Sequence, residues 1–212
     1  MAANNRKGFT PVRYLNGATW SGQVSIYSVA TNEGTAIGIG DLVKLNGGTV
    51  TAGDSGAGMV GIRSVSKIAA TTDAVVGVMV GCKPFYEQGG SVSLDLPQYA
   101  AASAAKIKYV FVVDDPNVLF SCLEDALVTP LTLAGVGLNI SPTVAAASTT
   151  TGQSASILDS STVSTTATLP LKLMEFVNDP SNTETGPGTV TSRWIVKINN
   201  HQLAASTGTE GV

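Results

Sequence analysis

Charge is what this 212-residue sequence most lacks: charged side chains make up 13% of it, about half the share usual in soluble domains. Histidine is nearly missing as well. His201 is the only one, it follows Asn199 and Asn200 at a strand-like end, and imidazole acid–base catalysis has little else to draw on. A packing or surface role is expected for it. The two cysteines, Cys82 and Cys122, each lie inside an apolar run, with no C-x-x-C partner or neighbouring histidine. No zinc or thiol-nucleophile site can be assembled from them, and both read as buried free thiols in a reducing compartment. No apolar run approaches the roughly 20 residues of a membrane span. The longest, AVVGVMVG (74–81) and YVFVV (109–113), are strand-sized. MAANNRKGFTPVR has no apolar signal core, so the chain is expected to stay in the cytoplasm. A net charge of −3 offers no basic surplus for nucleic acid. Helix formers are sparse too, and only QYAAASAAKIKY (98–109), after Pro97, predicts a short helix.

What the sequence has in quantity is glycine, threonine, valine and serine, in short apolar runs broken by turn residues. QVSIYSVA, DLVKL, GMVGIRSVSKI, AVVGVMV, KYVFVV and NVLFSCL are separated by NEG, NGG, AGDSG, EQGG and DDPN, the punctuation of a β protein. DDPN (114–117) sets an aspartate and a proline at turn positions, so KYVFVV-DDPN-VLFSCL predicts a hairpin. In residues 143–168, 19 of 26 are Ser, Thr or Ala and Asp159 is the only charge. That stretch predicts a loop-rich, partly strand-forming excursion with a turn at TTTGQS (149–154). LPLKLMEFV (169–177) and SRWIVKIN (192–199) resume strand character around an exposed loop, PSNTETGPG (180–188). The expected architecture is all-β: a β-barrel or sandwich body, an extended N-terminal arm and at most one or two short helices. Residues 1–23 form the arm, 24–128 a β-barrel-like domain, 129–203 a second β-rich region and 204–212 a flexible tail.

The arm carries the functional reading. Residues 1–32 hold Arg6, Lys7 and Arg13 and no acid, while all fifteen acidic residues lie beyond. Phe9, Tyr14, Leu15 and Trp20 are scattered there among Gly, Pro11 and Asn. Basic and apolar side chains spaced along an extended segment suit docking onto a complementary surface. The alternative is an arm folded back on its own barrel. Mean hydropathy is +0.24 despite the absence of spans, and surplus apolar surface on a soluble chain points to subunit or lattice interfaces.

Chemistry-bearing motifs are weak. Gly56, Gly58 and Gly61 fit G-x-G-x-x-G, but IRSVSKI after them alternates like a strand where the dinucleotide fingerprint needs a helix. The acidic pairs Asp114–Asp115 and Glu124–Asp125 lack a calcium-loop spacing, and turn chemistry accounts for the first of them. No catalytic residue, metal site or cofactor is expected, and the chain is read as no enzyme. Sugar sites generally use exposed aromatics, and Trp20, Trp194, Tyr86 and Tyr99 are the only plausible platforms of that kind.

The segments NNRKGFTPVRYLNGATWSGQ, YVFVVDDPNVLF, TGQSASILD and SRWIVKINNHQL resemble the head decoration, or cement, proteins of tailed bacteriophages, over residues 4 to about 203. The resemblance implies an auxiliary virion protein on the outer capsid surface, assembled in the host cytoplasm. It implies a homotrimer at three-fold positions that bridges major capsid protein subunits, with no nucleic acid or membrane partner. On that reading Arg6, Lys7, Phe9, Pro11, Arg13, Tyr14, Leu15 and Trp20 form the capsid-binding arm, the cations meeting acidic shell and the rings filling gaps. The alternative is a tail, fibre or carbohydrate-binding β-module of a virion.

Overall fold

The computed structural model describes residues 7–54, 59–83, 99–100, 107–125, 129–178, 192–204 and 208–211, with the backbone alone at 99–100. The strands are β1 (Thr10–Tyr14), β2 (Ser25–Val29), β3 (Ile37–Gly38), β4 (Leu42–Thr49), β5 (Arg63–Lys67), β6 (Gly77–Cys82), β7 (Tyr99–Ala100), β8 (Lys108–Val113), β9 (Val118–Leu123), β10 (Asn139–Thr143), β11 (Ile157–Ser164), β12 (Leu171–Phe176) and β13 (Arg193–Ile198). The all-β expectation holds. Among the described residues the only helical element is a 3-10 turn at Leu133–Gly135, and no helix there is long and apolar enough to cross a membrane.

Five strands close a barrel in the order β2-β5-β4-β6-β8, and six form a sheet in the order β1-β9-β13-β12-β10-β11. β3 and β7 make a small separate pair. The sheet curls until β11 returns to the end of β9, where Leu158 bridges Glu124 and the Asp125 N–H donates to the Leu158 carbonyl at 2.8 Å.

One apolar cluster joins the two sheets. Leu42, Val78 and Val113 of the barrel region pack with Phe120, Leu173 and Trp194 of the six-stranded sheet. Trp194 is fully buried, its ring edge-on to Phe176 at 5.3 Å between centroids. Each such side chain contributes about 1.5–3 kcal/mol when removed from water. A second cluster, around Tyr27, Val43, Val76 and Met79, fills the barrel interior.

Several expectations change. β8 and β9 do not form a hairpin: β8 pairs with β2 and β6, and β9 pairs with β1 and β13. The turn chemistry itself is as read, since the Asn117 N–H donates to Asp115 Oδ1 at 2.8 Å. It reverses the chain from one sheet into the other. All six residues of β9 are buried, and such a strand needs partners on both edges and cover on both faces. The barrel therefore closes at Val113, well before residue 128, and β9 belongs with the strands after 129. Tyr99–Ala100 is strand rather than the start of a helix, and residues 101–106 lie outside the described ones. So does the PSNTETGPG loop.

The tail also departs from a flexible end. The Thr209 carbonyl accepts from Asn139 Nδ2 at 2.7 Å, the Thr209 N–H donates to Asn199 Oδ1 at 2.9 Å, and Gly211 is buried. The excursion after 143 behaves as read. It turns where Gly152 N–H donates to the Ser148 carbonyl at 2.8 Å, then supplies β11.

Candidate docking face of the N-terminal segment

The described part of the N-terminal segment is built into the body, which corrects the picture of a free arm. Its path is set by two glycines at a crossing. Gly8 (φ 62°) and Gly40 (φ 88°) sit in the left-handed region, and the Phe9 N–H donates to the Gly40 carbonyl at 2.9 Å. A Cβ on Gly40 would collide with the Lys7 carbonyl oxygen. Only glycine allows both the conformation and the approach. Beyond the crossing Phe9 turns into the main core, 1% exposed. It is a core residue, not a docking ring.

Thr10–Tyr14 then adds to the sheet beside β9. Pro11 is tolerated because this is an edge strand. The outer edge is covered by the chain itself. Tyr14 N–H donates to the Ala18 carbonyl at 2.8 Å, and Trp20 N–H to the Val12 carbonyl at 3.3 Å. A self-capped edge offers little for another chain to pair with.

The remaining arm residues divide accordingly. Arg13 pairs with Glu175 at 2.6 Å on the surface. Such a pair is worth only about 0–1 kcal/mol, but it engages the charge that was expected to face an acidic partner. The Tyr14 hydroxyl donates to Gln23 Oε1. Trp20 packs against the main core, with its Nε1 buried and unpartnered among the described residues. Lys7 is exposed, and Arg6 lies outside the described residues. Of the eight residues expected to make the arm's contacts, and among those with placed side chains, Leu15 (46% exposed) alone presents a large aliphatic surface to solvent.

Two neighbours that sequence reading passed over join it. Val12 and Val24 are 37% and 38% exposed, so the segment carries three large exposed aliphatics. Val12 was legible in the alternation of TPVRY. Leu15 also stands over a cavity of about 250 Å³ lined by Pro116, Met174, Ile198, Lys172 and Lys197. The two lysines are cross-strand neighbours on β12 and β13, a juxtaposition no single strand reveals. Lys172 Nζ donates to the Glu210 carbonyl at 2.6 Å.

Several of the described titratable groups are tied into the fold. His201, 2% exposed, also lines that cavity. Its Nδ1 accepts from the Leu203 N–H at 3.1 Å, and burial holds its pKa below the ordinary imidazole value. Asp41 and Lys67 form a fully buried ion pair at 2.8 Å. Gly38 N–H caps the other Asp41 oxygen at 2.8 Å, Ser154 and Ser156 donate to the first, and Lys67 also donates to the Ala145 carbonyl at 2.6 Å. This network pins the Ser/Thr/Ala-rich excursion to the barrel.

Glu124 accepts from the Leu131 N–H and the Ser192 hydroxyl, and burial raises its pKa. Asp125 accepts from Ser160, and Asp114 from Ser25 and Tyr27. Burial first, and then that Asp114 carboxylate, push the Tyr27 phenol upward. Neither cysteine is in a disulfide; Cys122 is buried, its thiol pushed up to about 12 by that burial, and Cys82 is half-buried. Among the described residues no three His, Cys, Asp or Glu side chains could hold a metal ion together. Gly56 and Gly58 lie outside the described residues, and Gly61 leads into strand β5, not a helix. Trp194 is inside the core, which removes it as a sugar platform. Tyr86 and the Tyr99 side chain lie outside the described residues.

Comparison of the chain with protein-family models, curated proteins and solved structures gave no match.

Proposed function

We propose that this chain is an auxiliary structural protein of a tailed-phage head, seated on the outer capsid surface where it bridges major capsid protein subunits. The observation that carries the reading is the exposure of Val12, Leu15 and Val24 on one short segment. Singly exposed aliphatics are ordinary on any surface, whereas three between residues 12 and 24 favour a contact along that stretch of chain. The segment is held by a sheet edge and a glycine crossing, so docking through it orders little additional chain, and the entropic cost of binding stays low. Lys7 precedes it as an exposed cation. A homotrimer at three-fold positions follows from the resemblance to decoration proteins and from the low charge. Ring symmetry lets one apolar face serve every copy, and many modest contacts stabilise the shell collectively by mass action.

The test is binding of the purified protein to capsids stripped of it. Val12→Glu and Leu15→Glu place a charge on surface that is already solvent-exposed, so stability is expected to change by no more than about 0.5 kcal/mol. Capsid binding is expected to be lost in the double variant. Undiminished binding by a folded double variant would move the docking face elsewhere.

A further inference from the structure

One seam of the barrel is sparsely paired. Among the described residues β2 and β5 are its only parallel neighbours and share a single residue pair, Ser28 with Ser64. The cause lies in the Asn46-Gly47-Gly48 run of β4. Gly47 takes φ 81°, the Asn46 side chain turns back to accept the Gly48 N–H at 2.9 Å, and register with β5 slips between Leu45 and Thr49. β4 thus bends away beside the seam. A cavity of about 500 Å³ opens there, bordered by Ser28, Thr31, Asn32, Asn46, Thr49 and Ser64. That volume lies within the roughly 300–1,000 Å³ of small-ligand sites.

The lining decides what fits. Among the described residues no lysine or arginine borders the cavity, so none of them supplies the charge-assisted donors an anion needs. The one carboxylate among the described lining residues, Asp54, accepts from the Thr51 N–H at 2.6 Å within its own turn, and a single carboxylate makes a poor cation site. Among the described residues no aromatic ring borders it and the apolar part is small, Ala30, Val50 and Ile107, which disfavours a flat hydrophobic ligand and leaves hydrogen bonding as the main means of recognition. What remains is a set of hydroxyls and carboxamides that both donate and accept. Asn46 and Ser64 are held by a mutual bond at 3.3 Å. Thr31, Asn32 and Thr49 make no side-chain hydrogen bond among the described residues and stand ready for a ligand.

We propose that this seam cavity binds a neutral saccharide unit, a hexose or N-acetylhexosamine. Its hydroxyls match the Asn and Thr side chains, and its C–H face lies on Ala30, Val50 and Ile107. The site is separate from the docking face and does not depend on the capsid reading.

Nuclear magnetic resonance titration of the isotope-labelled chain with glucose, galactose, mannose and N-acetylglucosamine tests the site. Saturable shifts are expected for one of these sugars, confined to residues 28–32 and 46–49, with a millimolar dissociation constant. Asn32→Ala and Thr31→Val remove side chains without intramolecular bonds and should leave thermal stability unchanged. Each should weaken binding about fivefold, the worth of one hydrogen bond. Inorganic phosphate is expected to cause no shift. The proposal is overturned if no sugar gives saturable shifts, if the shifts map outside the seam or survive both substitutions, or if phosphate binds there and the sugars do not.

Discussion

Phe9 and His201 lie near the two ends of the chain, and both are 2% exposed or less. For Phe9 the consequence is stability. Phe9→Ala empties a core position and is expected to cost about 3–5 kcal/mol, read as a lower denaturant midpoint. A docking ring on a free arm would instead leave stability within about 0.5 kcal/mol of the parent. For His201 the consequence is pH dependence. Burial lowers its folded-state pKa below the ordinary 6.5, with Asp114 and Asp115 opposing the shift and Lys197 adding to it. Below pH 6.5 the unfolded chain therefore takes up a proton that the folded chain resists. The stability this group contributes is full above 6.5 and declines as pH falls through the lowered value. His201→Asn keeps an acceptor for the Leu203 N–H and carries no titrating group. The parent's stability advantage over it is expected to shrink on acidification below 6.5, measured as paired denaturation midpoints. A constant difference across that range would contradict the burial argument.

At the scale of elements, the N-terminal strand depends on the crossing that aims it. Gly40→Ala introduces both strain and a collision with the Lys7 carbonyl. Faster hydrogen exchange is expected at the Phe9 amide, which donates to Gly40, and along β1, with β4 and β5 still protected. Unchanged protection at Phe9 would mean the crossing does not hold the segment. Strand identity was legible from the sequence, because apolar runs bounded by Gly, Asn and Asp allow little else. Pairing was not. KYVFVV and VLFSCL look like a hairpin because a tight turn joins them, yet both are largely buried, and their partners lie far away in sequence. The arm was misplaced for a related reason. Scattered aromatics signal contacts without saying whose, and Phe9 and Trp20 find theirs within the chain. Leu15 was read from composition alone, whereas the Lys172–Lys197 pair exists only through strand register. The seam cavity was out of reach for the same reason, since it depends on a register slip and a single parallel contact.

Across the whole molecule, the low charge finds two outlets. A core shared by barrel and sheet absorbs most of the apolar surplus. The remainder surfaces partly along the N-terminal segment, at Val12, Leu15 and Val24. That segment is the face through which the proposed docking would run. Electron microscopy of purified chain mixed with capsids stripped of it addresses that claim most directly. The account predicts added density on the outer surface at three-fold and local three-fold positions, with residues 7–24 turned toward the shell. Bare capsids at saturating protein, or density that meets the shell through another face, would contradict it.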